Sequence, residues 1–244
     1  MKKLLLSAAA LVAFAGAASA ADLPAKYRVA PGPAPVLVTS NWTGCYIGGH
    51  VGGGWSWTRF RNTANTGAFG DFVVGDGFDN PASGLIGGGH AGCNYQVGRL
   101  VYGIEGSYTF TDIKGDYNTS AFSPNPDTFS HKITDIASVA GRFGMAFDQW
   151  LFYSKAGWAG ARNTISVVDT VTPGSGNDVH WHNGFVIGSG TEFAFTRNWI
   201  AGFETNYYRF ESKSYELGDS TGSYTFAVRP RDVWTAQGRL SYKF

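Results

Sequence analysis

Leu100-Val-Tyr-Gly-Ile-Glu-Gly-Ser-Tyr-Thr-Phe110 alternates between two kinds of side chain. In an extended chain Leu100, Tyr102, Ile104, Gly106, Tyr108 and Phe110 share one face, and Val101, Gly103, Glu105, Ser107 and Thr109 share the other, because successive side chains of a strand point to opposite sides. The bulky apolar groups gather on one face. The other carries Gly, Ser, Thr and an acid. A soluble barrel turns its bulky apolar residues inward. A narrow interior filled with small and polar groups, with aromatics outside, suits a barrel set in lipid.

The pattern recurs outward from this stretch. In 44–58, Cys45, Ile47, Val51, Trp55 and Trp57 oppose Tyr46, His50, Ser56 and four glycines. Val139, Phe143, Met145 and Phe147 oppose Ser138, Ala140, Arg142 and Gly144. Phe185, Ile187, Ser189, Thr191, Phe193 and Phe195 oppose Gly184, Gly188, Gly190 and Glu192. Trp234, Ala236, Gly238, Leu240, Tyr242 and Phe244 oppose Thr235, Gln237, Arg239, Ser241 and Lys243. Tight turns at Gly98-Arg99, Asp148-Gln149 and Arg197-Asn198 recur roughly every fifty residues, which divides the chain into four hairpins. Between them lie polar stretches at 59–81, 112–130, 163–178 and 212–224, rich in Asn, Asp, Ser, Gly, Thr and Pro, the chemistry of loops. The expectation is an all-β fold: an eight-stranded antiparallel up-and-down transmembrane barrel with short periplasmic turns and long extracellular loops.

Composition agrees. The 244 residues include 34 Gly, 18 Phe, 12 Tyr and 8 Trp, with only 15% charged. Helical bundles need more Leu, Glu and Lys. A formal net charge of +1 gives no basic field for nucleic acid. No stretch after the first twenty residues is long and apolar enough for a membrane helix. Those first twenty read as an export signal: Met1-Lys2-Lys3, an apolar run to Ala18, and a small-x-small site that places the cut between Ala20 and Ala21. Residues 21–41 begin ADLPAKYRVAPGPAP and read as a Pro-rich periplasmic linker or tail, leaving 42–244 for the barrel. The location implied is the outer membrane of a Gram-negative bacterium.

Face parity places Glu105, Arg142, Lys155, Glu192, Glu204 and Arg239 inside, three acids and three bases. Buried charges must be paired, so a balanced set implies a salt-bridged plug, whereas an open pore more often shows a ring of one sign. No nucleophile accompanies Glu105 and Glu192, so no catalytic residue is assigned. His180 and His182 share a face and could bind metal or haem; the plainer reading is two solvated histidines at a loop base, and no cofactor or metal is assigned. His50 and His90 read as lumenal packing residues. Gly52-Gly53-Gly54 and Gly87-Gly88-Gly89 lack the Lys-Ser/Thr and the helix of a phosphate loop. Cys45 and Cys93, the only cysteines, fall on the outward face near the periplasmic ends of neighbouring strands, and export to an oxidising compartment leads to the expectation of a disulfide. Leu240, Tyr242 and Phe244 form an outward stripe read as an assembly signal.

The segment Asn41-Trp-Thr-Gly-Cys-Tyr-Ile-Gly-Gly-His-Val-Gly-Gly-Gly-Trp55 resembles the opening strand of the small rhizobial and Brucella-type outer-membrane surface proteins. So do Gly87-Gly-Gly-His-Ala-Gly-Cys-Asn-Tyr-Gln96, Tyr102-Gly-Ile-Glu-Gly-Ser-Tyr108, Gly141-Arg-Phe-Gly144, Gly188-Ser-Gly-Thr-Glu-Phe-Ala-Phe195 and Gly238-Arg-Leu-Ser-Tyr-Lys-Phe244. The resemblance covers essentially the whole chain after residue 20. It implies an OmpA-like surface antigen of the porin-like family that supports envelope integrity. Its partners would be outer-membrane lipid, lipopolysaccharide and the barrel-assembly machinery. Narrow diffusion channels and haem-type surface binding or adhesion are the alternative functions.

Overall fold

The computed structural model describes residues 41–67, 77–118, 128–168, 175–219 and 222–244. The signal site at Ala20 and Ala21 and the tail up to residue 40 lie outside the described residues. The strands are β1 (Gly44–Gly67), β2 (Gly77–Val97), β3 (Leu100–Asn118), β4 (Thr128–Phe147), β5 (Trp150–Val168), β6 (Ser175–Ala194), β7 (Trp199–Phe210), β8 (Lys213–Asp219) and β9 (Gly222–Lys243). Each pairs antiparallel with its neighbour, β7 with β9, and β9 closes onto β1. β7 and β8 are one barrel wall interrupted at Glu211 and Ser212, so the ring has eight walls.

Two turns are tight, at Gly98-Arg99 and Asp148-Gln149. Their first residues carry positive φ, 62° at Gly98 and 51° at Asp148, a conformation glycine adopts freely and Asp tolerates. The third turn is wider than the expected Arg197-Asn198 pair. It takes Phe195 to Asn198 out of the strands, and Thr196 Oγ1 accepts the backbone N–H groups of Asn198 (3.3 Å) and Trp199 (2.9 Å). That hydroxyl cap stabilises a four-residue loop where no glycine is present for a tighter one.

The polar stretches read as loops are largely strand. β1 alone is 24 residues long, whereas about 9–11 residues cross a bilayer. The excess projects opposite the short turns. There the outward face carries exposed polar residues such as Arg59, Arg61 and Asp79 in place of the apolar band, so the hydrophobic alternation fades while the backbone ladder continues, and polarity imitates a loop. The ring also divides there. β2–β3 pairing ends at Ser83↔Lys114, and β6–β7 pairing ends at Gly184↔Phe210. Beyond these seams the strands form two four-stranded sheets, β8-β9-β1-β2 and β3-β4-β5-β6. The seams are pinned at their bases by Asn80 Nδ2 donating to Gly115 O (3.2 Å) and Glu211 N donating to Asn183 O (2.8 Å).

The outward band runs from Ile47 to Trp57 on β1, with exposed aromatics toward both ends of the barrel. Trp55, Trp57, Trp158, Phe185 and Trp234 stand toward the extracellular side, and Tyr95, Tyr102, Phe147, Trp150, Trp199 and Tyr242 toward the short turns. Charges resume on the outer face just above, beginning with the Arg59–Asp79 ion pair.

The interior departs from the expectation of Gly, Ser and charge alone. Two apolar layers bracket the charges. Ile86, Ile113, Ile133, Ile136, Val186, Phe210 and Val233 fill the extracellular side. Trp42, Val101, Leu151 and Ile200 fill the periplasmic side. Irregular pairing at Phe110/Ile113 and Ile133/Asp135 explains part of the miss. An extra residue in a strand reverses its face parity, so Ile133 and Ile136 both point inward.

Candidate functional site

The barrel pleat aims Glu105 (β3), Arg142 (β4), Lys155 (β5), Glu192 (β6), Glu204 (β7) and Arg239 (β9) into the lumen, each side chain no more than 4% exposed. They form one connected ion-pair network. Arg142 reaches Glu192 at 2.7 Å and Glu105 at 3.4 Å. Lys155 reaches Glu204 at 2.8 Å and Glu105 at 3.2 Å. Arg239 touches all three acids, Glu192 at 3.4 Å and both Glu105 and Glu204 more closely. Every acid meets at least two bases, which offsets the several kcal/mol that burying each ion costs.

Two tyrosines belong to the network and were not singled out in the sequence. Tyr46 donates its hydroxyl to Glu105 Oε2 (2.8 Å) and accepts from Arg142. Tyr153 donates to Glu204 Oε2 (2.6 Å) and accepts from Arg239 Nη1 (3.0 Å), while the Arg142 guanidinium lies 3.9 Å from the Tyr153 ring centroid. For Tyr46 the available signal was a large aromatic among Gly44, Gly48, Gly52 and Gly54 of its face; Tyr153, which shares its face with Leu151, Lys155 and Gly157, carried no such signal. Gln237 and Asn206 each donate to Glu204 Oε1 at 3.0 Å. Glycines make room for these groups: a Cβ at Gly92 would stand 2.6 Å from the Tyr46 hydroxyl, and one at Gly190 would stand 2.6 Å from that of Tyr153.

Beside the network, His50 and His90 stack at 5.6 Å between ring centroids. His50 Nε2 lies 3.0 Å from Thr109 Oγ1, and His90 Nε2 lies 2.8 Å from Ser241 Oγ. Below it, Trp42 seals the periplasmic mouth. Its side chain is buried against Leu151 and Ile200, and its backbone N–H donates to Gln96 Oε1 (2.8 Å). Lys243 holds Asn41 O at the same rim. His182 corrects the reading of a solvated pair: it is fully buried, with Nδ1 2.9 Å from Glu211 O, while His180 is half-buried. The place of His182 on the inward face of β6, opposite Ala161, takes it out of solvent. Ser154 and Ser189 face outward as a directly paired couple.

Cys45 and Cys93 are direct cross-strand partners on the outward face and form a disulfide. Leu240, Tyr242 and Phe244 lie exposed on one stripe, and Phe244 N donates to Cys45 O (2.9 Å) across the β9–β1 closure. Among the described residues no group of three or more His, Cys, Asp or Glu is placed to hold a metal ion.

No protein-family model matches the chain. The 25 kDa outer-membrane immunogenic protein of Brucella canis is 27% identical over 245 residues, spanning 100% of this chain and 99% of that one. The 22 kDa outer membrane protein of Rhizobium leguminosarum bv. viciae is 29% identical over 192 residues, 79% of this chain and 74% of that one. Among solved structures, the outer membrane protein OprG from Pseudomonas aeruginosa aligns over 85% of this chain and 99% of its own, with 9% identity and a TM-score of 0.48. With its outward apolar band and its closed ring of eight walls, the chain is an outer-membrane β-barrel protein of Gram-negative type, homologous to the Brucella 25 kDa and Rhizobium 22 kDa outer-membrane proteins.

Proposed function

We propose that this protein is a closed, non-enzymatic structural barrel that stabilises the envelope and presents its two extracellular sheets at the cell surface. One observation carries the reading: the lumen is crossed by an apolar layer, a fully paired charge layer and a second apolar layer capped by Trp42. Ions crossing such a lumen would have to break buried pairs, each several kcal/mol to disrupt. The relatives are named as immunogenic, which supports surface exposure of the projecting sheets here.

The test is planar-bilayer recording with refolded protein whose insertion is first established by heat-modifiable migration. The expected result is a silent membrane. Discrete, reproducible conductance steps would overturn the closed reading in favour of a narrow diffusion channel.

A further inference from the structure

The periplasmic apolar layer is completed from outside the barrel wall. Its other residues, Leu151 and Ile200 among them, sit on strands, whereas Trp42 precedes β1 and takes no part in the ladder. The chain turns under the mouth at Gly44, the first residue of β1. The φ of 138° there is one that residues other than glycine rarely adopt, and a Cβ would stand 2.9 Å from Phe244 O. From Cys45 onward the chain is fixed, by the disulfide to Cys93 and by the hydrogen bond from Phe244 N (2.9 Å).

Side-chain contacts, and no ladder, hold residues 41–43. Trp42 N donates to Gln96 Oε1 (2.8 Å), and Gln96 N donates to Thr43 Oγ1 (3.0 Å). Thr43 N donates to Asn41 Oδ1 (2.9 Å), and Lys243 Nζ donates to Asn41 O. Asn41 and Thr43 are exposed at the rim, while the Trp42 indole is buried. Its Nε1 has no hydrogen-bond partner there, so withdrawal into water satisfies a donor that the closed position leaves unpaired. A segment outside the ladder, tied down by a few hydrogen bonds at a rim, opens at a lower free energy than the paired walls beside it.

We propose that residues 41–43 form a hinged lid over the periplasmic mouth, with Gly44 as the hinge and Gln96 and Lys243 as the latches. Shut, the lid lays Trp42 over Leu151 and Ile200. Swung out, it admits periplasmic water to the lower lumen as far as Tyr153 and the charge layer. The ion pairs and the extracellular apolar layer stay in place, so opening hydrates a one-ended vestibule and makes no path through the barrel. The lid is therefore independent of the closed reading: a silent bilayer is expected whether the lid moves or not.

The test uses full-length protein refolded in lipid nanodiscs, where both native cysteines are bonded and silent to thiol reagents. Heat-modifiable migration first establishes that each variant is folded. Ile200→Cys, beneath the lid, is expected to react with a water-soluble maleimide several-fold faster than Val186→Cys in the extracellular apolar layer. Leu151→Cys is a second reporter beneath the lid should Ile200→Cys fail to fold. Removing both latches, as Gln96→Leu with Lys243→Ala, is expected to speed labelling beneath the lid by about tenfold, the effect of losing two hydrogen bonds of ordinary strength. The rate at Val186→Cys is expected to stay unchanged. The proposal is overturned by labelling beneath the lid no faster than at Val186→Cys, by a latch variant that leaves that rate unaltered, or by one that speeds both layers alike.

Discussion

Arg142 shows what a single lumenal residue contributes. It pairs with Glu105 and Glu192 and lies against the Tyr153 ring, so Arg142→Ala strands buried acid and is expected to cost about 3–5 kcal/mol. Removing Glu192, its nearest partner, should recover part of that loss. Removing Glu204, which it does not contact, should recover none. Denaturant unfolding of the single and double variants measures both couplings, and full additivity with Glu192 would contradict the assigned pair. A glycine makes the complementary case. Gly190→Leu would drive its side chain into the Tyr153 hydroxyl, displacing the donor to Glu204. Loss of stability beyond that of Tyr153→Phe is the expected result in the same assay.

At the scale of elements, the Cys45–Cys93 bond fixes the register of the β1–β2 hairpin. Its removal as Cys45→Ala/Cys93→Ala is expected to cost about 2–4 kcal/mol. Alkylation of unreduced, denatured protein should label neither cysteine, and labelling of both would remove the bond from the account. The extracellular extension of β4 offers a pH-dependent group. His131 is fully buried above the apolar band, and burial, aided by the nearby His182, pushes its imidazole down to about 4. A pKa below the unfolded value means that the unfolded chain takes up the proton first. The stability associated with neutral His131 is therefore complete above about pH 6.5 and is lost as pH falls from there toward 4. NMR titration of the ring should show it neutral at pH 5.5. A midpoint near 6.5 would mean that the ring is solvated.

For the whole molecule, closure depends on the β9–β1 seam. Phe244 donates its backbone N–H to Cys45 O, and its ring meets Tyr242 edge-on at 5.6 Å. Deleting Phe244 removes both contacts and the end of the outward stripe. The expected outcome is less heat-modifiable folded protein in the membrane, read by gel migration of the outer-membrane fraction. An unchanged folded fraction would leave the Leu240, Tyr242 and Phe244 stripe without an assembly role. Closure also makes the lumen collective: seven of the eight walls contribute a side chain to the ion-pair and tyrosine network, so its energy belongs to the ring and not to any hairpin.

How much of this was legible in one dimension depends on the range of the interaction. Face parity is local, because the pleat alternates at every residue. It therefore determined the inward position of Glu105, Arg142, Lys155, Glu192, Glu204 and Arg239, the outward aromatics and the lipid-facing character of the barrel. Turn chemistry is local too, and Gly98 and Asp148 announced themselves, whereas the hydroxyl-capped turn at Thr196 needed its neighbours in space. Tertiary structure alone decided that Cys93 stands opposite Cys45, that Arg142 pairs with Glu192 and not with Glu204, and that Trp42 and His182 are buried. It also decided that the polar stretches continue as two separate sheets. Each of these follows from register, bulges and ring closure, which sum small displacements over many residues and bring together side chains that are distant in sequence.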